Sequence, residues 1–382
     1  IPSSVTTLDG GIFAGCASLE SAVFESGSTL TALPDETFFC CTSLKTVTLP
    51  ESLVSIGSSC FASKTADNYV PIESITLPTT LTTIGGYAFE YCSKLTSISI
   101  PSGVTTIGDF AFEGCAFTEA TIPSTVTSLG SSAFSSCSAL KTVTFADSMN
   151  SSFTILKDGL FSECLNLTTV NIPSTVKSIY YKAFYNCTSL ESIVLPAGLT
   201  SLAGYAFDGC TSLKTVNIPS GVTCLYDYTF SGCPLTSIEL PSSLSSIGTY
   251  CFNGATFAEV TIPATVTKIG PNAFSNNSNL NAVYFDYNLS WSYSSYSTKA
   301  DSTATVINVR YYEDNANYLK STYANYYWHK DDRIKVLDYH TAYLTDDIMV
   351  PVTKDTETTL RFYVANMSNN YIIYFEEYHN PD

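Results

Sequence analysis

The sequence predicts an α/β solenoid, an array of about twelve coils of 22–28 residues with one strand from each joining a parallel β-sheet. An α+β cap and a small β-rich segment are expected to follow. Three observations predict the array. An Ile-Pro-like dipeptide returns at Pro2, Pro50, Pro78, Pro101, Pro123, Pro173, Pro196, Pro219, Pro241 and Pro263, with Glu25, Ala146 and Asp286 filling the gaps in register. A Phe stands at one fixed offset in every unit: Phe13, Phe38, Phe61, Phe89, Phe112, Phe134, Phe161, Phe184, Phe207, Phe230, Phe252 and Phe274. The residues before each Pro alternate apolar and polar, as in Val143-Thr144-Phe145 and Val216-Asn217-Ile218. A fixed period of this length belongs to units that bury their apolar face only by stacking on their neighbours.

Each element has its own reason. The alternation before Pro is a short strand with one face buried, and successive strands running the same way make parallel rungs about 4.8 Å apart. Pro ends the strand because it brings no N–H to a ladder, and Gly57, Gly85, Gly108, Gly130, Gly248 and Gly270 mark a turn. The stretch through Ala-Phe-x-x-Cys is expected to make a helical turn or short helix on the opposite face. The Phe column is expected to stack as an internal spine. Nine of the thirteen cysteines form a second column three residues after the Phe, at Cys16, Cys41, Cys92, Cys115, Cys137, Cys164, Cys187, Cys210 and Cys233. A metal site needs ligands that converge on a point, whereas this column runs along the axis, so buried reduced thiols are expected and no metal or cofactor.

These residues carry a family resemblance. "IPSTVTSLGSSAFSSCSALKTVTF" and "LPAGLTSLAGYAFDGCTSLKTVNIP" resemble leucine-rich repeats of the BspA type, also called Treponema pallidum type repeats, and the pattern covers residues 1–286. The resemblance implies a curved, right-handed solenoid on the surface of host-associated bacteria or trichomonad-like protists. It also implies adhesion and not catalysis.

Composition limits the partners. The chain of 382 residues is 45% hydrophobic, so it folds around a large core, and its formal charge of −17 disfavours nucleic acid and anionic lipid. No apolar run reaches the length of a transmembrane helix. No secretory signal opens the chain, which begins inside the pattern at Ile1-Pro2, so the true start is expected upstream or cut away.

The sheet's outward column is the candidate binding face on the concave side: Thr48, Thr76, Ser99, Thr121, Thr144, Asn171, Asn217, Glu239, Thr261 and Tyr284, with Val23 and Val194 in the same column. The column two residues earlier is similarly rich in Ser and Thr. Neither holds His or a basic residue, and no close acid pair offers a general acid and base. Two readings stand: hydroxyls tolerated on an exposed sheet, or a neutral hydrogen-bonding surface for a protein or glycan. Six Asn-x-Ser/Thr sequons are about what this composition yields by chance and carry no glycosylation assignment.

Beyond the repeats, residues 287–338 are read as a loop and cap, with a strand at Val306–Tyr311, a helix from Glu313 to Tyr327 and a strand at Arg333–Leu337. Trp328, Tyr318, Tyr323 and Tyr326 are cap-core candidates. Residues 339–382 read as a small β module of three strands. Its His340, Asp346, Asp347, Glu376, Glu377 and His379 match no ligand spacing and are taken as solvated charges. The function expected is therefore a non-catalytic extracellular or cell-surface binding or adhesion protein. The alternative is a structural subunit of a surface layer or filament, self-associating head to tail through an uncapped first coil.

Overall fold

The structure, a computed structural model, describes residues 1–63, 69–285, 290–294, 306–308, 312–322, 324–325, 327–330, 358–367 and 370–379. Two parallel ladders run along the stacked coils. One is the expected strand before Pro, for example Glu119–Ile122, Thr142–Phe145 and Thr169–Asn171, which pair in register. The other is a two-residue strand per coil just before the turn glycine, which the sequence reading did not anticipate. Its eleven copies run from Ala32–Leu33 to Lys268–Ile269. The second residue of each is buried: Ile84 and Ile179 are sealed off completely. The dipeptide ladder is the more continuous of the two, with five rungs from Ala32–Leu33 to Ser128–Leu129 in one sheet.

All twelve Phe rings stack on their neighbours as a single spine. Centroids lie 5.1 to 5.8 Å apart along the whole column from Phe13 to Phe274. This spacing matches one coil per rung and offers the offset stacking that aromatic quadrupoles favour. Only Phe13, in the first coil, is partly open to solvent.

The Ala-Phe-x-x-Cys stretch is not a helix. In every coil but that of Phe61, where only Ser59 does so, the residues two before and two after the Phe hold left-handed backbone, as at Tyr87 (φ 57°) and Tyr91 (φ 54°) around Phe89. The alternation turns three N–H groups per coil along the solenoid axis. Tyr87, Phe89 and Tyr91 donate to the carbonyls of Asp109, Ala111 and Glu113 in the next coil, at 2.7 to 2.8 Å. A helical turn would direct the same donors back into its own segment and leave the neighbouring coil unbonded. Gly114, Gly209, Gly232 and Gly254, and Asn186 and Asn276, occupy the second of these left-handed positions, where their types are favoured.

The thiol column has a matching role. Each Cys N–H of the column closes a turn on the Phe of its own coil, and from Cys41 onward its Sγ donates to the Phe carbonyl of the coil before. Cys115 reaches the Phe89 oxygen at 3.2 Å and Cys164 reaches that of Phe134 at 3.1 Å. All thirteen cysteines are free thiols, and ten are buried. Burial raises the Cys137 thiol to about 12, so it stays protonated and able to donate. The close stacking also explains the turn glycine: a Cβ on Gly130 would overlap the backbone of Gly108 and Asp109 in the preceding coil.

The cap departs from expectation. Tyr327–Lys330 is a strand, not the end of a helix, and pairs antiparallel with Lys268–Ile269, covering the exposed end of the dipeptide ladder. Ser290–Ser294, within the expected loop, joins its other side and pairs with Val306–Asn308. The helical segment is shorter than predicted, Tyr312–Asn317 followed by a π turn at Tyr318–Thr322. The physical reason is that an open ladder edge demands a strand partner, and a segment rich in aromatics suits one better than it suits a helix. Trp291 and Trp328 are both buried, Tyr318 is half-buried, and Asn315 donates to the Val283 carbonyl at 2.9 Å. Thr358–Met367 and Asn370–His379 form an antiparallel hairpin. The expected strands at Arg333–Leu337 and at 342–352, together with Tyr323, Tyr326, His340, Asp346 and Asp347, lie outside the described residues.

Two outcomes follow from the spine and the thiol column. Phe134→Ala, which removes a completely buried ring from mid-stack, is expected to destabilise the chain by about 3–5 kcal/mol in denaturant unfolding. Under native conditions a thiol reagent is expected to label Cys16, Cys40 and Cys224 quickly and the other ten only on unfolding. Cys224 is expected to react readily because, although burial pulls its thiol upward, bonds with the Ser245, Ser246 and Thr223 hydroxyls hold it below the usual range.

Candidate functional site

The strand face carries the ten residues singled out from the sequence, and every one is solvent-exposed. The register joins some of them directly. Thr121, Thr144 and Asn171 occupy successive paired rungs, and Thr261 lies beside Tyr284. Thr48 neighbours Val23 in the first pair of strands. Thr76, Ser99, Asn217 and Glu239 instead stand outside the strands. The face is not uniformly polar: Val194 is 76% exposed and Val23 55%, and Tyr284 presents a ring.

Two of the ten are engaged in holding the fold. The Asn171 side chain accepts from the Phe145 N–H at 2.7 Å and donates to the Phe145 carbonyl at 2.9 Å. Asn217 does the same for Leu195, at 2.7 and 2.8 Å. Each amide thus supplies the pairing that a neighbouring strand would give, and its hydrogen-bonding atoms are directed at the preceding coil, not outward.

The strand ladder is interrupted along this face, at full-length units such as those ending at Ile100 and Leu195 and also at units that are one residue short. Three units place the residue before Pro seven positions after the Cys column rather than eight, ending at Ile122, Leu240 and Ile262. None of the three is ladder-paired with the coil before it. In two of them an aromatic fills the place of Leu: Phe117 packs edge-on against Phe112 and Phe134, and Phe257 against Phe252 and Phe274. Between the second and third lies a surface cleft of about 650 Å³, lined by Ser237–Leu240 on one wall and by Glu259, Val260 and Thr261 on the other. Glu239 and Glu259, which the sequence places in separate columns, line it together.

On the turn side, sequence reading missed a second aromatic row. Tyr181, Tyr205, Tyr228 and Tyr250 follow one another at 5.3, 4.5 and 4.9 Å, and Lys182 lies over the Tyr181, Tyr185 and Tyr205 rings. The signal was present as Tyr recurring two residues before the spine Phe at Tyr205, Tyr228 and Tyr250, and three before it at Tyr181. Farther along the same side, burial, aided by the Glu113 carboxylate, pushes Glu90 up to about 7, and burial also raises Glu113 and Asp208. Among the described residues no group of three or more His, Cys, Asp or Glu is arranged to hold a metal ion, and no helix is long and apolar enough to cross a membrane.

Comparison with known proteins gives a concordant family match. The sequence profile of the BspA type leucine rich repeat region matches six copies, over residues 1–71, 65–191 and 177–302. Among solved structures, a leucine-rich repeat protein from Bacteroides ovatus is 25% identical, with 73% of this chain and 76% of that one covered and a TM-score of 0.49. A leucine rich cell surface protein from Faecalibacterium prausnitzii is 28% identical, with 70% and 79% covered and a TM-score of 0.45. The pneumococcal vaccine antigen PcpA is 22% identical, with 71% and 64% covered and a TM-score of 0.44. No curated protein sequence matches the chain.

The geometry separates structural from available residues. Asn171→Ala, which orphans two main-chain groups, is expected to lower unfolding stability by about 1–2 kcal/mol, whereas Thr144→Ala stays within about 0.5 kcal/mol. The acid cluster sets a pH dependence. Folded Glu90 holds its proton up to about 7 while the unfolded chain releases it near the ordinary Glu value, so the folded state binds more protons between the two. The thermal midpoint is therefore expected to fall as pH rises from 5 to 8, and Glu90→Gln to flatten that slope.

Proposed function

We infer that this chain, which belongs to the BspA type leucine-rich repeat family, is a non-catalytic binding protein of the cell surface whose strand face engages a macromolecular partner, a protein in the first instance. The observation that carries the reading is the face itself. Successive coils present Thr and Ser hydroxyls in register, with exposed Val23, Val194 and Tyr284 among them, on a scaffold whose core is closed by its own spine. Hydroxyls supply adaptable hydrogen bonds at low desolvation cost, and isolated apolar side chains supply anchors that are buried only on contact. A rigid solenoid adds little ordering cost on binding, because its rungs are already fixed by their neighbours. A glycan is the alternative occupant of the same hydroxyls.

The reading is tested by passing the full chain over immobilised matrix proteins, mucins and a glycan array. Retention by at least one class is expected, and a Thr144→Arg/Val194→Asp double variant is expected to weaken it by about tenfold or more with an unchanged circular dichroism spectrum. Absence of retention on every surface would overturn it.

A further inference from the structure

Seven tyrosines fall between Tyr180 and Tyr250, and the repeat sorts most of them into two columns on the turn side. Tyr205, Tyr228 and Tyr250 stand two residues before the spine Phe. Their rings stack at 4.5 and 4.9 Å with planes within 17° of parallel, and Tyr181 joins the row at 5.3 Å. Stacking occupies the ring faces, so the row offers a ligand its edges and hydroxyls. Tyr180 and Tyr226 belong to the other column, four residues before the Phe, with the small Ala203 between them and Gly248 after. Both are exposed, and among the described residues neither has a ring partner. Hydroxyls thus recur every coil and open ring faces every second coil. Acids flank the row. Burial first, then the neighbouring tyrosines and the Asp208 and Asp227 carboxyls, push the Tyr205 and Tyr228 phenols above their ordinary range, so each keeps a proton to donate. Asp227 is exposed and accepts from the Thr249 N–H through one oxygen, at 2.7 Å.

These periods select the class of ligand. An extended peptide repeats its same-side side chains about every 6.6 Å and falls out of step within two rungs. A pyranose chair built from bonds of about 1.5 Å sets the equatorial oxygens at its two ends roughly 5 Å apart, so a chain linked through them advances one sugar per coil. Such linkages also turn successive sugars over, which returns the same C–H face every second sugar, the period of Tyr180 and Tyr226. The flanking acids and the formal charge of −17 disfavour a polyanion. We propose that this tyrosine strip binds an uncharged β-1,4-linked glycan lying along the solenoid axis. Tyr180 and Tyr226 hold the C–H faces of alternate sugars against their electron-rich rings, while the phenol row and Asp227 exchange hydrogen bonds with the sugar hydroxyls. The site lies apart from the strand face and goes beyond the reading given for it: one side engages a protein, the other a glycan.

The test titrates the full chain calorimetrically with three hexasaccharides: cellohexaose and chitohexaose, both β-1,4-linked and differing in the N-acetyl group, and maltohexaose, whose α-1,4 linkages curl the chain off the row. Saturable binding of cellohexaose or chitohexaose is expected, and none of maltohexaose. Tyr180→Ala and Tyr226→Ala should each weaken binding by about three- to tenfold with an unchanged circular dichroism spectrum. The strand-face variant Thr144→Arg/Val194→Asp should bind the glycan as the parent does. Failure of both β-linked sugars, equal binding of maltohexaose, or full binding by a Tyr180→Ala/Tyr226→Ala double variant overturns the proposal. Binding lost only in the strand-face variant places the glycan on that face and also overturns it. If neither β-linked sugar binds and the tyrosine double variant loses retention on a matrix protein, the strip is a protein contact and the glycan assignment falls; the strand-face reading is decided separately, by its own variant.

Discussion

Hydrogen bonds directed along the axis are the constraint on which the remainder of the structure depends. A coil of 22 or 23 residues has too little surface to enclose a core and too few internal partners for its own amides. In the turn around each Phe, alternating right-handed and left-handed residues send N–H groups to the following coil. Once these bonds fix the coil spacing, the Phe rings have nowhere to go except onto one another, and the spine and the main chain enforce the same rise. The order of cause matters: a turn that bonded inward, as a helix does, would satisfy itself and release the spacing.

That spacing dictates which side chains the inner columns accept. A thiol is small enough to stand between stacked Phe residues and still donates to the carbonyl left over on the coil before, so the cysteine column is a set of weak hydrogen bonds in a dry interior. Burial keeps these thiols protonated, which preserves the donor and makes them inert. The same closeness removes side chains altogether at turn glycines such as Gly130. Toward the C-terminal end the demand changes sign: Lys268–Ile269 needs a partner that no further repeat provides, and Tyr327–Lys330 meets it by running antiparallel.

The repeat, its Phe spine, the buried thiols and the strand before Pro were legible because each recurs at a fixed offset and recurrence reports the inside of a stack. The dipeptide ladder was hidden because two residues show no alternation; only the invariably apolar position before the turn glycine, as at Ile84 or Ile269, betrays it. The helix expectation failed because Ala-Phe-x-x-Cys has apolar residues at helical spacing, while the Gly or Asn two places after the Phe, as at Gly114 and Asn186, already favoured left-handed backbone. On the face, period-two logic placed all ten side chains outward correctly, yet it could not tell that Asn171 and Asn217 turn their amides back onto Phe145 and Leu195. An amide and a hydroxyl look alike in a column; only length decides which reaches the neighbouring backbone.

Regularity and recognition therefore fall on different residues. Positions that recur in every coil are engaged by the coils before and after, and they leave little for a partner to read. Positions that depart from the pattern are the ones that stand out at the surface: Val194 among hydroxyls, the exposed Tyr284 on Ala282–Phe285, and the units one residue short, where Phe117 and Phe257 pack edge-on against the spine. Dropping a residue leaves the spine intact, since Phe230, Phe252 and Phe274 remain stacked through the affected region. The solenoid thus tolerates a local loss of pairing on one face because axial bonding on the others holds the spacing. Such a division lets a repeat surface vary where it meets its surroundings without loosening the core that carries it.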